Sequence, residues 1–196
     1  MTRTEYYDDP DAPAPNSLVV AAGAAVIDDK GRLLLQRRVD NGLWAMPGGA
    51  MEMSESLPQA AVREVREETG YEVEVSGLLG TYTDARHVIA YSDGEVRRQF
   101  NVCFRARVVG GELAVSDESH EVRWFTPEEV VGLAMHHTQR LRVEHALGRG
   151  EPHAGRHATW NVSDVVTAVA RPARAGPSLA RRPCSAESPT DRPPKA

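Results

Sequence analysis

The stretch PGGAMEMSESLPQAAVREVREETGY, residues 47–71, predicts the element around which the fold of this chain is built. Ser56 followed three residues later by Gln59 is a capping-box pattern, which is typical of the start of a helix. Gly70 suits the position just beyond the last residue of a helix, where the backbone turns left-handed. Small apolar residues supply one face of this helix: Leu57, Ala60, Ala61, Val62 and Val65. We therefore predict a helix between Ser56 and Gly70.

The predicted helix carries Glu64, Glu67 and Glu68 within one turn. Like charges three or four residues apart on a helix repel each other by roughly 0.2–0.5 kcal/mol per pair. A solvated helix face, with Arg63 and Glu67 as an i,i+4 ion pair, is one explanation. The other is a divalent cation, because clustered carboxylate oxygens are the ligands that Mg²⁺ or Mn²⁺ prefers. Since Mg²⁺ usually completes its coordination shell with waters and substrate phosphates, the pattern indicates phosphate chemistry.

The spacing of these residues is similar to the signature of a known family. From Gly49 the chain gives five residues, Glu55, seven residues and then REVREETGY at 63–71. This pattern resembles the Nudix box, with every fixed position filled. The final position is usually aliphatic and here is Tyr71, a departure that concerns packing. The predicted elements around the box extend the resemblance over about Leu18–Leu147.

The resemblance implies a Nudix fold of the α/β (α+β) class, with a mixed β-sheet sandwiched between helices. It also implies hydrolysis of a nucleoside diphosphate linked to another moiety, with Mg²⁺ or Mn²⁺ as cofactor. By the family pattern, Glu64, Glu67 and Glu68 would bind the metal together with the backbone carbonyl of Gly48. Arg63 would hold the carboxylates by ion pairs. Bound metal polarises phosphoryl oxygens and helps to deprotonate an attacking water.

The general base stays open at this stage. Family members use either a helix glutamate or a glutamate in a loop before a late strand, so we expect Glu64 or Glu67 to act with Glu118 assisting. Glu55 is a box position and would support the loop or a metal. Glu52, just upstream, is either an outer ligand or a plain surface residue.

Four residues outside the box are further candidates. Arg37 and Arg38 end a predicted strand near the site, and a guanidinium matches the geometry of phosphate oxygens. Because neighbouring residues on a strand face opposite sides, one of the two must point away. His136 and His137 are interpreted as surface or helix-start residues, because no paired cysteine or third ligand has a metal-binding spacing in the sequence.

The remaining pattern alternates predicted strands and helices. A first hairpin is predicted from 18–28 and 32–38, and a second around Asp93-Gly94. A strand at 121–125 is followed by a helix that starts near Pro127 and by a helical segment at 138–148. The domain boundaries that we expect are a flexible N-terminal arm at 1–16, a Nudix hydrolase domain at 17–148, a packed C-terminal segment at 149–170, and a disordered basic tail at 171–196.

Composition limits the partners. The net charge of -5 gives no overall basic surface of the kind that nucleic-acid binders carry, so we expect no nucleic acid partner. No apolar run reaches about 18 residues and no secretory leader is evident, so we expect a cytoplasmic protein without membrane contact. The two cysteines, Cys103 and Cys184, do not support a disulfide framework. The expected partner is a small-molecule nucleotide, and since family members are often dimers we also expect a homodimer.

Two questions about function stay open. A non-catalytic Nudix-fold module that binds nucleotides or regulates is the alternative to an enzyme, although such a module normally shows a damaged box or an attached DNA-binding motif. The ADP-ribose branch usually has a proline about fifteen residues past its box and the dinucleoside polyphosphate branch a tyrosine slightly later. This chain instead reads ARHVI at 85–89, so a nucleoside triphosphate, an ADP-ribose-like compound or a nucleotide sugar remains a candidate substrate.

Overall fold

The computed structural model describes residues 3–149 of the chain. Within that range, strands and one long helix come first and two shorter helices follow. The elements are β1 (Arg3–Tyr7), β2 (Ser17–Val26), β3 (Leu33–Arg38), β4 (Trp44–Ala45), β5 (Gly48–Ala50), α1 (Leu57–Thr69), β6 (Tyr71–Tyr82), β7 (His87–Tyr91), β8 (Val96–Gly111), β9 (Ser119–Phe125), α2 (Pro127–Val130) and α3 (His137–Ala146).

A six-stranded mixed sheet forms the centre of the fold. Its core is the parallel pair β2 and β8, with Ala22 opposite Val102. Strands β6 and β7 pair antiparallel with β8, β5 pairs antiparallel with β2, and β1 pairs antiparallel with β7. A separate three-stranded antiparallel sheet has the order β4-β3-β9. The mixed sheet that the resemblance implies is confirmed.

Helices cover the sheets through two hydrophobic cores. In the first core, Ala60, Ala61 and Val65 of α1 pack with residues of β2 and β8 such as Ala24 and Phe104. In the second, Val130 of α2 with Val143 and Ala146 of α3 packs around Ala25 and Cys103. Because side chains alternate along a strand, adjacent residues such as Ala24 and Ala25 serve opposite cores. The predicted arrangement of sheet between helices is confirmed.

Helix α1 has the ends that the sequence predicts. Ser56 is the N-cap, and its backbone N–H donates to Oε1 of Gln59 over 2.9 Å. At the other end Gly70 has φ 76° and its N–H donates to the Arg66 carbonyl. A Cβ at residue 70 would lie 2.3 Å from the carbonyl oxygen of Glu112, so both the backbone angle and the space require glycine.

One predicted hairpin is confirmed and the other is wrong. Strands β7 and β8 pair antiparallel across Asp93-Gly94, with Ala90 opposite Val96. Strands β2 and β3 instead lie in different sheets, and between them the backbone forms an isolated antiparallel bridge of Ile27 with Leu33 and a hydrogen bond from the Asp28 N–H to the Arg32 carbonyl. The reason is that β2 already pairs with β8 on one edge and with β5 on the other, which leaves no edge for β3. Strand β9 and helices α2 and α3 match the prediction.

The expected flexible arm at 1–16 does not hold for Arg3–Tyr7. These residues form β1, which pairs with β7 and places Glu5 opposite Ile89. The backbone pairing is reinforced by the Glu5 side chain, which contacts Arg3, His87 and His136. The predicted segment at 149–170, beyond its first residue, and the predicted tail at 171–196 lie outside the described residues. Among residues 3–149, no helix has the length and apolar character needed to cross a membrane.

Candidate active site

A cleft of about 360 Å³ lies beside α1. Most of the residues that the sequence predicts for the site line it: Arg38, Gly48, Arg63, Glu64, Glu67, Glu68 and Glu118. Arg37, Glu52 and Glu55 are not among its lining residues. Helix α1, strands β3 and β5 and the loop before β9 therefore bring seven of the ten candidates to one cavity.

Arg63 connects the carboxylates of the box. Its Nη1 donates to Oε1 of Glu64 and to Oε2 of Glu67, each over 2.9 Å. Its Nε and Nη2 donate to the two oxygens of Glu55 over 3.0 and 2.7 Å, and Nη2 also reaches the Ala50 carbonyl over 3.1 Å. The hydrogen bonds to Glu55, above all, hold the pKa of Arg63 above its ordinary value. Arg63 is thus a fixed cation that orients three glutamates.

The carboxylate of Glu64 packs against Gly49. A Cβ at residue 49 would lie 2.4 Å from Oε1 of Glu64, so the carboxylate occupies the space that the missing side chain of Gly49 leaves. Burial raises the pKa of Glu64 above its ordinary value, Arg63 opposes this rise, and the charges of Glu67 and Glu118 add to it. A half-buried carboxylate beside two others is a group that a cation would stabilise.

Glu68 is the most deeply buried of the three box glutamates, with 4% of its surface exposed. Its Oε2 accepts a hydrogen bond from the backbone N–H of Gly48 over 2.8 Å. Burial raises the pKa of Glu68 to about 7; the nearby Gln36 side chain and the hydrogen bond from the Gly48 N–H oppose the rise, and the charge of Glu64 adds to it. The Gly48 loop and the helix are therefore joined directly through this carboxyl group.

Glu67 and Glu118 form the open side of the cleft. The side chain of Glu67 is 59% exposed although it pairs with Arg63. Glu118 lies in the loop before β9, is exposed, and is anchored through its backbone carbonyl, which accepts from the Val39 N–H over 2.9 Å. Both side chains can therefore reach a water molecule that enters from solvent.

The remaining predicted residues are two glutamates just before α1 and two arginines at the end of β3. Glu55 grips Arg63, and Glu52 donates its backbone N–H to Oε1 of Glu55 over 2.8 Å while its own side chain is exposed. Arg38 lines the cleft and holds Asp40 through two hydrogen bonds of 3.0 and 2.8 Å. Arg37 lies near Glu121 at 3.8 Å and does not line the cleft.

The wall formed by β1, β7 and α3 holds lining residues that the sequence does not connect: Glu5, His87 and His136. Burial acts against the charge of Glu5, but the hydrogen bond from His87 and the charge of Arg3 lower its pKa to about 2. Burial lowers the pKa of His136 to about 4. The three residues come from distant parts of the chain, so no local pattern could have joined them.

The donor set beside α1 fits a hard divalent cation. Carboxylate oxygens of Glu64, Glu67 and Glu68 line one cleft, and Mg²⁺ and Mn²⁺ prefer such oxygen ligands. Burial and mutual repulsion disfavour ionisation of Glu64 and Glu68, a penalty that a bound cation would relieve. When bound, such an ion polarises phosphoryl oxygens and acidifies water.

Comparisons with known proteins agree with this geometry. The sequence model of the family described as NUDIX domain matches residues 17–147. A MutT-like protein of Streptomyces ambofaciens is 36% identical over 154 residues, which cover 78% of this chain and 92% of that protein. An ADP-ribose pyrophosphatase of Methanocaldococcus jannaschii is 34% identical over 125 residues, covering 60% of this chain and 68% of that protein.

A solved structure extends the comparison to the fold. The crystal structure of a MutT NUDIX hydrolase from Burkholderia pseudomallei superposes with a TM-score of 0.55 at 27% identity, covering 66% of this chain and 98% of that one. The fold, the complete box and the sequence relatives lead to the same conclusion. The chain belongs to the Nudix family of hydrolases.

Proposed function

We propose that this chain is a divalent-metal-dependent pyrophosphohydrolase that cleaves a nucleoside diphosphate linked to another moiety, by attack of water at phosphorus. The observation that carries the proposal is the set of three box carboxylates that line one cleft and are held there by Arg63 and Gly48. Glu64, Glu67 and Glu68, with the Gly48 carbonyl, would hold Mg²⁺ or Mn²⁺.

The chain's own residues have distinct tasks in this reaction. Arg63 keeps Glu64 and Glu67 in fixed orientations, so that their oxygens do not have to reorganise when substrate enters. Glu64 or Glu67 takes a proton from the attacking water, with Glu118 assisting.

Arg38 is the better of the two arginine candidates for holding a substrate phosphate. Its guanidinium lines the cleft, and Asp40 fixes its orientation through two hydrogen bonds. A planar guanidinium can meet two phosphate oxygens at once. Arg37 lies outside the lining and pairs loosely with Glu121, so we assign it no substrate contact.

The substrate class follows from the phosphate chemistry and stays broad. A cleft of about 360 Å³ falls within the range of about 300–1,000 Å³ that is usual for small-molecule sites. Nucleoside triphosphates, ADP-ribose-like compounds and nucleotide sugars all contain the diphosphate linkage that the carboxylate cluster would serve. A homodimer and a cytoplasmic location also stay predictions.

The test is hydrolysis of a substrate panel by the full-length protein with Mg²⁺ or Mn²⁺. The panel contains nucleoside triphosphates, oxidised nucleotides, ADP-ribose, nucleotide sugars and dinucleoside polyphosphates, and products are identified by mass. The matched variants are Glu67→Gln in the box and Glu112→Gln, which changes an exposed glutamate that does not line the cleft.

We expect cleavage of one class by the wild type and by Glu112→Gln, with a large loss in Glu67→Gln. If Glu67→Gln cleaved every compound as fast as the wild type, the carboxylate mechanism would be wrong. If the wild type cleaved none of them while still binding Mg²⁺ and nucleotide, the non-catalytic binding module would replace the enzyme.

A further inference from the structure

Three side chains meet on the wall of the cleft that β1, β7 and α3 form. Oε2 of Glu5 lies 2.8 Å from Nε2 of His87 and 3.1 Å from Nε2 of His136. All three ligand atoms lie within 4.8 Å of one another. The side chains of Glu5 and His87 are only 12% and 11% exposed, so this cluster is held by the fold and is not a loose surface group.

These distances are close to those around a metal ion. Zn²⁺ binds imidazole nitrogen and carboxylate oxygen at about 2.0–2.2 Å, which on a tetrahedral centre separates two ligand atoms by about 3.3 Å. The separations of 2.8 and 3.1 Å in the cluster therefore need to open by only a few tenths of an ångström. The His87 and His136 rings stack with centroids 4.9 Å apart, so both nitrogens face the same carboxylate.

We propose that Glu5, His87 and His136 form a second metal site, which binds a divalent transition-metal ion of the Zn²⁺ type. Two imidazoles and one carboxylate are a donor set that suits such ions, whereas Mg²⁺ prefers oxygen ligands alone. The two ends of the cleft therefore differ in ion preference. The glutamates of α1 take the hard ion and the histidine cluster takes the softer one.

The groups around the cluster are already placed to support a metal. Arg3 contacts Oε1 of Glu5, and the other oxygen, Oε2, faces His87 and His136. The other ring nitrogen of His136, Nδ1, lies 2.9 Å from the hydroxyl oxygen of Thr138 and accepts a hydrogen bond from the Thr138 backbone N–H over 3.4 Å. Outer partners of this kind fix the orientation of metal ligands in known sites.

A metal in this cluster would act inside the substrate cleft. Glu5, His87 and His136 line the same cavity as Glu64 and Glu67. Three protein ligands leave a fourth tetrahedral position open, as in sites that bind water or substrate. That position can take an anionic oxygen of a molecule whose phosphates lie at α1. The competing explanation is a hydrogen-bond cluster only, in which both histidines donate N–H to Glu5.

The experiment measures metal binding by the full-length protein after treatment with EDTA. Co²⁺ is titrated while its visible absorption is recorded, Zn²⁺ affinity is measured by competition with a chromophoric chelator, and X-ray absorption of the Zn²⁺ form reports imidazole ligands. The ligand variants are His136→Gln and His87→Gln. The matched control is His137→Gln, whose ring contacts that of His136 at 4.2 Å between centroids but lies outside the cluster. Glu64→Gln separates this site from the α1 carboxylates.

We expect one tightly bound Zn²⁺ per chain with imidazole ligands, and a loss of affinity on the order of 10–100-fold or more in His136→Gln and His87→Gln. His137→Gln and Glu64→Gln should bind Zn²⁺ as the wild type does. Circular dichroism of each variant verifies that the fold is retained, and two separate ligand variants guard against a failure to fold in one. Wild-type affinity in both ligand variants would overturn the proposal, as would loss only in Glu64→Gln, or no Zn²⁺ bound by the wild type.

Discussion

Replacing Glu68 by glutamine should change how the stability of the metal-free protein depends on pH. Glu68 is 4% exposed, and burial raises its pKa from the ordinary value of 4.5 to about 7. The folded protein therefore holds the Glu68 proton more tightly than the unfolded chain does. This contribution to stability is fully present below about pH 4.5 and is lost as the pH rises to about 7. Glutamine cannot ionise, so the stability of the variant does not fall in this way as the pH rises.

The size of the effect follows from the two pKa values. A rise from 4.5 to about 7 corresponds to roughly 3 kcal/mol of proton-binding free energy. Between about pH 5 and about pH 8, the free energy of unfolding of Glu68→Gln should therefore gain roughly 2–3 kcal/mol relative to the wild type. The amide oxygen of glutamine can still accept the hydrogen bond from the Gly48 N–H, so the packing of the loop is retained.

The assay is urea unfolding in EDTA at the two pH values, with Glu112→Gln as the surface control. The quantity of interest is the difference between Glu68→Gln and wild type, because other titrating groups cancel in it. If the unfolding free energy of Glu68→Gln differed from that of the wild type by the same amount at both pH values, the raised pKa of Glu68 would be refuted. Mg²⁺ added at about pH 8 should stabilise the wild type more than Glu68→Gln, since a ligand stabilises the state that binds it.

Three other changes test the packing of the site and the end of helix α1. Gly49→Ala should displace the Glu64 carboxylate and weaken Mg²⁺ binding in calorimetric titration, because the new Cβ would lie 2.4 Å from Oε1; an unchanged affinity would contradict this. Arg63→Gln frees three carboxylates and should lower kcat/KM on the order of 10–100-fold, and wild-type turnover would exclude the orienting role. Gly70→Ala should lower the free energy of unfolding, measured with urea, by about 1–3 kcal/mol, because residue 70 has a φ of 76° and lies close to the Glu112 carbonyl. A variant as stable as the wild type would show that alanine is not strained at this position.

The central helix and its carboxylates were predictable because their signals are local. Ser56, Gln59 and Gly70 mark the helix ends within fifteen residues of one another, and the box spacing places three glutamates on the same turns. The close contact between Gly49 and Glu64 belongs to the same short stretch. Hydrogen bonds and sterics inside one helix and its preceding loop depend little on the rest of the chain, so sequence spacing suffices there.

Contacts between distant segments were not predictable. Strand β1 exists because its backbone pairs with β7 and because Glu5 meets His87, 82 residues further along the chain. The first predicted hairpin was wrong for a related reason, since both edges of β2 are taken by β5 and β8. The two arginines show an intermediate case. Period-two alternation indicates that one must face away, but only the folded structure shows that Arg38 lines the cleft and Arg37 does not.

The cleft is lined by residues inside the family match and by residues of β1 outside it, and this combination bears on how a substrate would be selected. The family match begins at residue 17, so the α1 carboxylates lie inside it and β1 lies outside it. Glu5 of β1 nevertheless lines the same cavity as Glu64. In the proposed reaction, the box residues would act on the diphosphate, and the wall that holds Glu5 would contact the moiety attached to it. Strand β1, at the edge of the sheet, would therefore influence which substrate the cleft accepts without altering the residues of the box.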